Sequence, residues 1–130
     1  MSMPVSSKYC AATVMLAASM AAAGDAGVYF PEFEDPSLRD GRAIWMETCK
    51  GCHGDGTADA PRPDRYVEWE QRIKQPRDVL YTHAIEGFFG PDYAMMPPRG
   101  GNSALSDAQV KLAVDYMVRL IEHFRDSPAP

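Results

Sequence analysis

Five residues of this 130-residue chain combine reactive types with a spacing that could do chemistry together. Cys49, Lys50, Gly51, Cys52 and His53 spell C-x-x-C-H, the attachment signature of c-type haem. Cysteines three apart at a helix end can each bond a vinyl group of one porphyrin. The adjacent imidazole then projects at the iron from the proximal face. Disulfide oxidoreductases also use C-x-x-C, but in a βαβ context that this sequence lacks. A structural disulfide is the plainest alternative. Zinc would need a second ligand pair; with Cys10 set aside no other cysteine exists, and His83 and His123 show no paired spacing. The reading is one covalently attached haem c, with Cys49, Cys52 and His53 as its first contacts and His53 as an iron ligand.

The other iron ligand must come from elsewhere. Met96 lies 43 residues after His53, enough for two short helices and a loop to cross over and close the opposite haem face. Met95 and Met96 compete for that place. In an extended stretch before a proline, successive side chains point in opposite directions, so one can reach the iron while its neighbour packs outward or along the haem edge. Methionine is ordinarily a filler of core gaps. Here the setting argues otherwise: residues 88–103, FFGPDYAMMPPRGGNS, hold too much Gly and Pro for regular structure and too many aromatics for a solvent loop, which implies packing onto something.

Composition supports a cofactor-built core. Residues 1–23 contain a single charge, Lys8, then an apolar stretch from Ala11 to Ala23 that ends in Ala21, Ala22 and Ala23. A basic start, a short apolar run and an Ala-x-Ala site predict a secretory signal peptide over 1–23 rather than a membrane span. The remaining chain has Leu, Ile, Val and Phe at only 20 of 107 positions, at the border where side chains alone offset the entropy of ordering. Something besides side chains must help build the core. Export implies a soluble, periplasmic protein in an oxidising compartment, with no stable membrane insertion. Without the leader the chain has twelve Lys and Arg against eighteen Asp and Glu. That net charge of −6 disfavours nucleic acid and favours redox partners with a basic docking patch.

Few regular elements are needed to position these residues. Residues 24–36 have no clear period and read as an extended arm, followed by the main domain over 37–126. Asp35 can cap a helix that starts at Pro36 and runs to about Cys49, with Gly41 and Trp45 on one face. Asp64 opens a predicted helix through Lys74, and a shorter one spans Pro76 to Glu86 and ends at Gly87. Ser106 and Gln109 form a capping box for a last helix that carries Val110, Ala113, Met117, Leu120 and Phe124 on one face until Pro128. No strand alternation is present, so the fold class is all-α with long ordered loops.

From Asp40 to Phe124 the chain resembles the class I c-type cytochromes, and within them the bacterial cytochrome c5-like group. The resemblance rests on Gly41-x-x-x-Trp45, Ala60-Pro61, Trp69-x-x-Arg72-Ile73, Leu80-x-x-His83-Ala84-Ile85-x-Gly87-Phe88, Met96-Pro97-Pro98-Arg99-Gly100-Gly101 and Leu105-Ser106-Asp107. Ala113-Val114-Asp115-Tyr116-Met117 completes the pattern. Some members carry a cysteine pair after the Gly-Gly; Asn102 and Ser103 stand here instead. The resemblance implies helices wrapped around one haem, with the first and last crossing at Gly41, Trp45 and Tyr116. It places the distal ligand directly before Pro-Pro, at Met96, and gives His83 a packing or surface role rather than ligation. It also implies that a proline carbonyl, of Pro61 or else Pro63, accepts the proton on the free nitrogen of His53. For Trp69 and Arg72 three readings stay open: they line the haem edge, approach a haem propionate, or belong to an ordinary amphipathic helix.

An iron held by an imidazole and a thioether has no open position, which predicts a one-electron carrier rather than an enzyme. The alternatives are the electron-accepting haem subunit of a dehydrogenase, or a haem peroxidase or gas sensor with a displaceable distal ligand.

Overall fold

The carboxylate of Asp35 accepts the Ser37 N–H at 2.8 Å and the Ser37 hydroxyl at 2.7 Å, and Pro36 fills the first helical position. Helix α1, Pro36–Ile44, starts there as its cap dictates. The computed structural model describes residues 28–127. The leader expected over 1–23, the first residues of the arm and residues 128–130, which include the Pro128 expected to end the last helix, lie outside that range. The chain runs helix α1, helix α2 (Lys50–His53), helix α3 (Tyr66–Trp69), helix α4 (Arg77–Glu86), strands β1 (Phe88–Phe89) and β2 (Met95–Met96), and helix α5 (Asp107–Asp126).

Between α1 and α2 the helix expected to continue to Cys49 widens. Residues Trp45–Cys49 form a π-helical turn, closed by the Lys50 N–H on the Trp45 carbonyl. An extra residue in a helical turn rotates everything after it by about 100°. The sequence shows no Pro or Gly there, so nothing local announces the change; such turns are frequent at functional sites.

Helices α1 and α5 make the central crossing. At Gly41 a side chain would drive into the Leu112 carbonyl and stand 3.2 Å from the Tyr116 Cβ, so the glycine is what lets the two backbones meet. One turn on, the Trp45 and Tyr116 rings lie 5.7 Å apart, both fully buried. The capping box of α5 forms as expected, with the Gln109 N–H on Ser106 Oγ at 3.2 Å and the Ser106 N–H on Gln109 Oε1 at 2.9 Å. Val110, Ala113, Met117 and Leu120 of its predicted face are buried, with Phe124 packed at their edge. Helix α4 docks on α5 through Asp115, which accepts from Tyr81 at 2.7 Å and Arg77 at 3.0 Å.

Two segments depart from expectation. Asp64 does not open a helix: its carboxylate is bound in a bidentate pair by Arg62 at 2.6 and 2.9 Å, and Arg65 is non-helical. The α-helix is reduced to four residues, and Glu70 to Lys74 form a series of turns joined by the Ile73 N–H on the Trp69 carbonyl. Residues 88–103, expected to be wholly irregular, hold an antiparallel pair with Phe88 opposite Met96 and Phe89 opposite Met95, plus short 3₁₀ turns at Pro91–Tyr93 and Pro98–Gly101. Two-residue strands are too short to show alternation. The fold remains all-α apart from this pair.

The arm is ordered over its described part. Phe30 is buried with its ring edge-on to Trp45 at 4.8 Å, Arg42 donates to the Phe30 carbonyl at 3.0 Å, and Tyr116 donates to the Pro31 carbonyl at 2.9 Å. Because Gly41 sits at a backbone contact, Gly41→Ala should lower unfolding stability by about 3 kcal/mol in chemical denaturation. Gly51, with open space at its Cβ position, should accept alanine at no loss or with a gain of up to about 1 kcal/mol.

Candidate haem-binding site

The short α2, with Cys49 as its cap, carries the motif, and the π-helical turn before it sets the direction of all three residues. Cys49, Cys52 and His53 share the wall of one cavity of about 390 Å³, a size typical of cofactor sites. Helix α5 supplies another part of the wall through Val110, Ala113 and Met117; Leu80 and Ala84 of α4 and the β2 segment complete it. The sequence is short of apolar side chains because this space is left for something else.

His53 is oriented before any ligand is considered. Its Nδ1–H donates to the Pro61 carbonyl at 2.9 Å, which fixes the tautomer with Nε2 unprotonated. Pro63, the other proline considered, is fully buried. Burial holds the His53 pKa below the usual imidazole value, the Pro61 bond opposes that shift, and the charge of Arg72 adds to it. A neutral imidazole held by its second nitrogen is the form that binds a metal. The Trp69 ring is 6.3 Å from that of His53, and its indole N–H is tied to the Arg62 carbonyl at 3.0 Å.

The two cysteines are unbridged. Burial pushes the Cys49 thiol up to about 11, with Cys52 acting the same way. Redox-active C-x-x-C pairs lower their thiol pKa, so this environment is the reverse of an oxidoreductase's. Among the described residues no three His, Cys, Asp or Glu side chains converge as a metal cluster.

The same cavity is lined by the two methionines. Met96 is half-buried and Met95 is 54% exposed, as their opposite directions in β2 require, although both reach the cavity lining. Gly87 anchors this segment from below: its φ of 88° suits glycine alone, and a Cβ would press on the Met96 carbonyl at 3.0 Å. His83 also lines the cavity, with its ring stacked on Phe88 at 4.2 Å. The indole N–H of Trp45, in the cavity wall, is the buried side-chain polar atom left without a partner among the described residues. An apolar cradle, two thiols, an oriented imidazole and thioether sulfurs on the same lining are the donor set a covalent haem needs.

Nothing in the sequence marks Phe30 or Tyr81 as a residue that shapes or braces the site, and the pattern that includes Phe88 and Asp115 does not show what they touch. Phe30 and Phe88 sit in stretches with no period, and Asp115 has its two partners 34 and 38 residues away. A bare string of residues offers no signal for such pairings.

Helices around an apolar cavity with C-x-x-C-H in its wall define a c-type cytochrome. The family described as cytochrome C oxidase, cbb3-type, subunit III matches residues 36–117, and the chain belongs to that family. It is 41% identical over 78 residues to cytochrome c-555 of Chlorobaculum tepidum, covering 60% of this chain and 71% of the relative. It is 30% identical over 81 residues to cytochrome c5 of Azotobacter vinelandii, covering 61% and 92%. A cytochrome c structure, solved in an electron transfer complex with nitrite reductase, superposes with a TM-score of 0.55 at 32% identity, covering 67% of this chain and 96% of that one. The chain is thus a class I c-type cytochrome, an electron-transfer protein with one covalently bound haem c.

Proposed function

We propose that this protein is an exported monohaem electron carrier whose iron is closed on both faces by its own side chains. The observation that carries the proposal is the placement of His53 and Met96 on the lining of one cavity, with His53 oriented by Pro61. Bound there, haem c supplies a one-electron ferric–ferrous couple.

The residues divide the work. Cys49 and Cys52 would hold the porphyrin through thioether bonds to its vinyl groups. His53 would offer Nε2 to the iron, while the Pro61 carbonyl keeps its ring from turning and raises its basicity. Met96 would offer its sulfur as the second ligand, a soft donor that favours the ferrous state. With both positions filled, substrate has no place on the iron, which separates this reading from a peroxidase or a gas sensor. The role of haem-bearing subunit within a dehydrogenase uses the same geometry and differs only in the partner.

Partners meet the protein at the cavity mouth. Phe89, Tyr93 and Met95 of the β1–β2 hairpin are 73%, 96% and 54% exposed, an apolar lip next in the chain to the cavity-lining Phe88, Gly90 and Ala94. Weak, brief redox encounters suit such a surface, while a net charge of −6 after leader removal attracts a partner bearing a basic docking patch. The leader pattern over 1–23 supports a periplasmic location, and no helix among the described residues is long and apolar enough to cross a membrane.

Intact mass of the exported protein should show loss of the leader and gain of one haem. Met96→Ala should abolish the weak sulfur-to-iron absorption band of the ferric form and lower the potential, while Met95→Ala keeps both; the opposite pattern transfers the ligand to Met95. Electron transfer with a basic partner should slow as added salt shortens the Debye length from about 30 to about 10 Å. A rate that stays flat or rises rejects charge steering and leaves the apolar lip to govern docking.

A further inference from the structure

The cavity lining carries a second imidazole that the electron-carrier reading does not use. His83, on α4, is half-buried there, and its ring stacks on that of Phe88 at 4.2 Å with 27° between the planes. Phe88 is in turn the strand partner of Met96, so one aromatic ring links the imidazole to the segment that holds the sulfur. A histidine with a purely structural role usually satisfies its ring nitrogens, as His53 does on the Pro61 carbonyl. Neither nitrogen of His83 has a hydrogen-bond partner among the described residues, which leaves a lone pair available to a metal.

The two donors stand on different supports. Helix α4 has ten residues and is tied to α5 by the bonds from Tyr81 and Arg77 to Asp115. Met96 belongs to a two-residue strand, and the turns on either side of it hold Tyr93 and Arg99 at φ of 64° and 56°, the left-handed region that strains a residue with a side chain. A short strand between strained turns opens more readily than a braced helix. The thioether can therefore leave with its loop while the imidazole keeps its place.

We propose that His83 is a reserve iron ligand: when the Met96 sulfur is off the haem iron in this cavity, a ring nitrogen of His83 takes the vacated position. This rests on the electron-carrier reading above, with Met96 as the resident ligand. The exchange breaks one iron–sulfur bond and forms one iron–nitrogen bond, with no electron gained or lost. Imidazole is a harder donor than a thioether and favours the ferric state, so the exchange lowers the reduction potential while the iron stays closed. The chain then has two closed states, one of higher and one of lower potential.

The test is spectroscopic, on haem-loaded Met96→Ala. Its ferric iron should be low-spin, with the electron paramagnetic resonance of an iron held by two imidazoles, and adding His83→Gln should convert it to high-spin. An internal ligand reduces the fraction of iron open to an added one, so exogenous imidazole should bind ferric Met96→Ala on the order of tenfold more weakly than it binds the double variant. His123→Gln, whose ring lies against Phe33 and Phe124 outside the cavity lining, should leave the Met96→Ala spectrum unchanged. Met96→Val, which suits a strand position, gives the same comparison should the alanine protein fail to fold. High-spin iron in Met96→Ala overturns the proposal, as does a low-spin iron that survives the loss of His83, or equal imidazole affinity in the single and double variants. A sulfur-to-iron band that persists in Met96→Ala would instead move the resident ligand off Met96 and sink the underlying reading together with the proposal, so the two failures are distinguishable.

Discussion

At Gly41 the backbone of α1 rests on the Leu112 carbonyl of α5, and the placement of the haem site follows from that contact. The crossing sets Trp45 against Tyr116 and Phe30, which locks the end of α1 in the core. The π-helical turn begins at Trp45, so its rotation starts from a fixed point. Four residues later the same rigid piece delivers Cys49, then Cys52 and His53, to the cavity wall. A wider approach of the two helices would move the cysteines with α1 and the wall with α5 apart.

The cavity answers the shortage of apolar side chains. A chain with so few Leu, Ile, Val and Phe residues beyond its leader gathers its buried side chains along one face of α5 and the end of α1. The rest of its interior is the cavity. A bound porphyrin would supply the apolar surface the sequence omits, as a bound group does in other small chains. The long segments that close the cavity are braced by polar contacts rather than by burial: Arg99 to the Leu105 carbonyl at 2.9 Å and to Asp107, and Asp115 to Tyr81 and Arg77.

How much of this can be read from residues alone depends on how local each cause is. The C-x-x-C-H string, the capping box at Ser106 and the proline-led start of α1 are made by near neighbours, and the sequence displays them. The apolar face of α5 is legible for the same reason. The shortening of α3 is not, because Asp64 has a partner in Arg62 that competes with the capping role its type suggests. The hairpin that leaves Met95 exposed and Met96 half-buried needs only four paired residues, below the length at which alternation shows. Sequence alone leaves Arg72 open between the haem edge, a propionate and a plain helical face; only the fold shows that it faces the cavity and lacks an anion among the described residues. Phe30 reaches the core from a segment without periodicity, held there by the bonds that Arg42 and Tyr116 donate to the arm's backbone.

The central claim is that this chain closes both faces of its haem iron with its own side chains, as an electron carrier requires. Carbon monoxide added to the reduced protein at neutral pH tests that claim most directly. The account predicts an absorption spectrum that does not change on mixing, because no coordination position is open. Prompt formation of a carbon monoxide adduct would contradict it and put a vacant or displaceable ligand at the distal face.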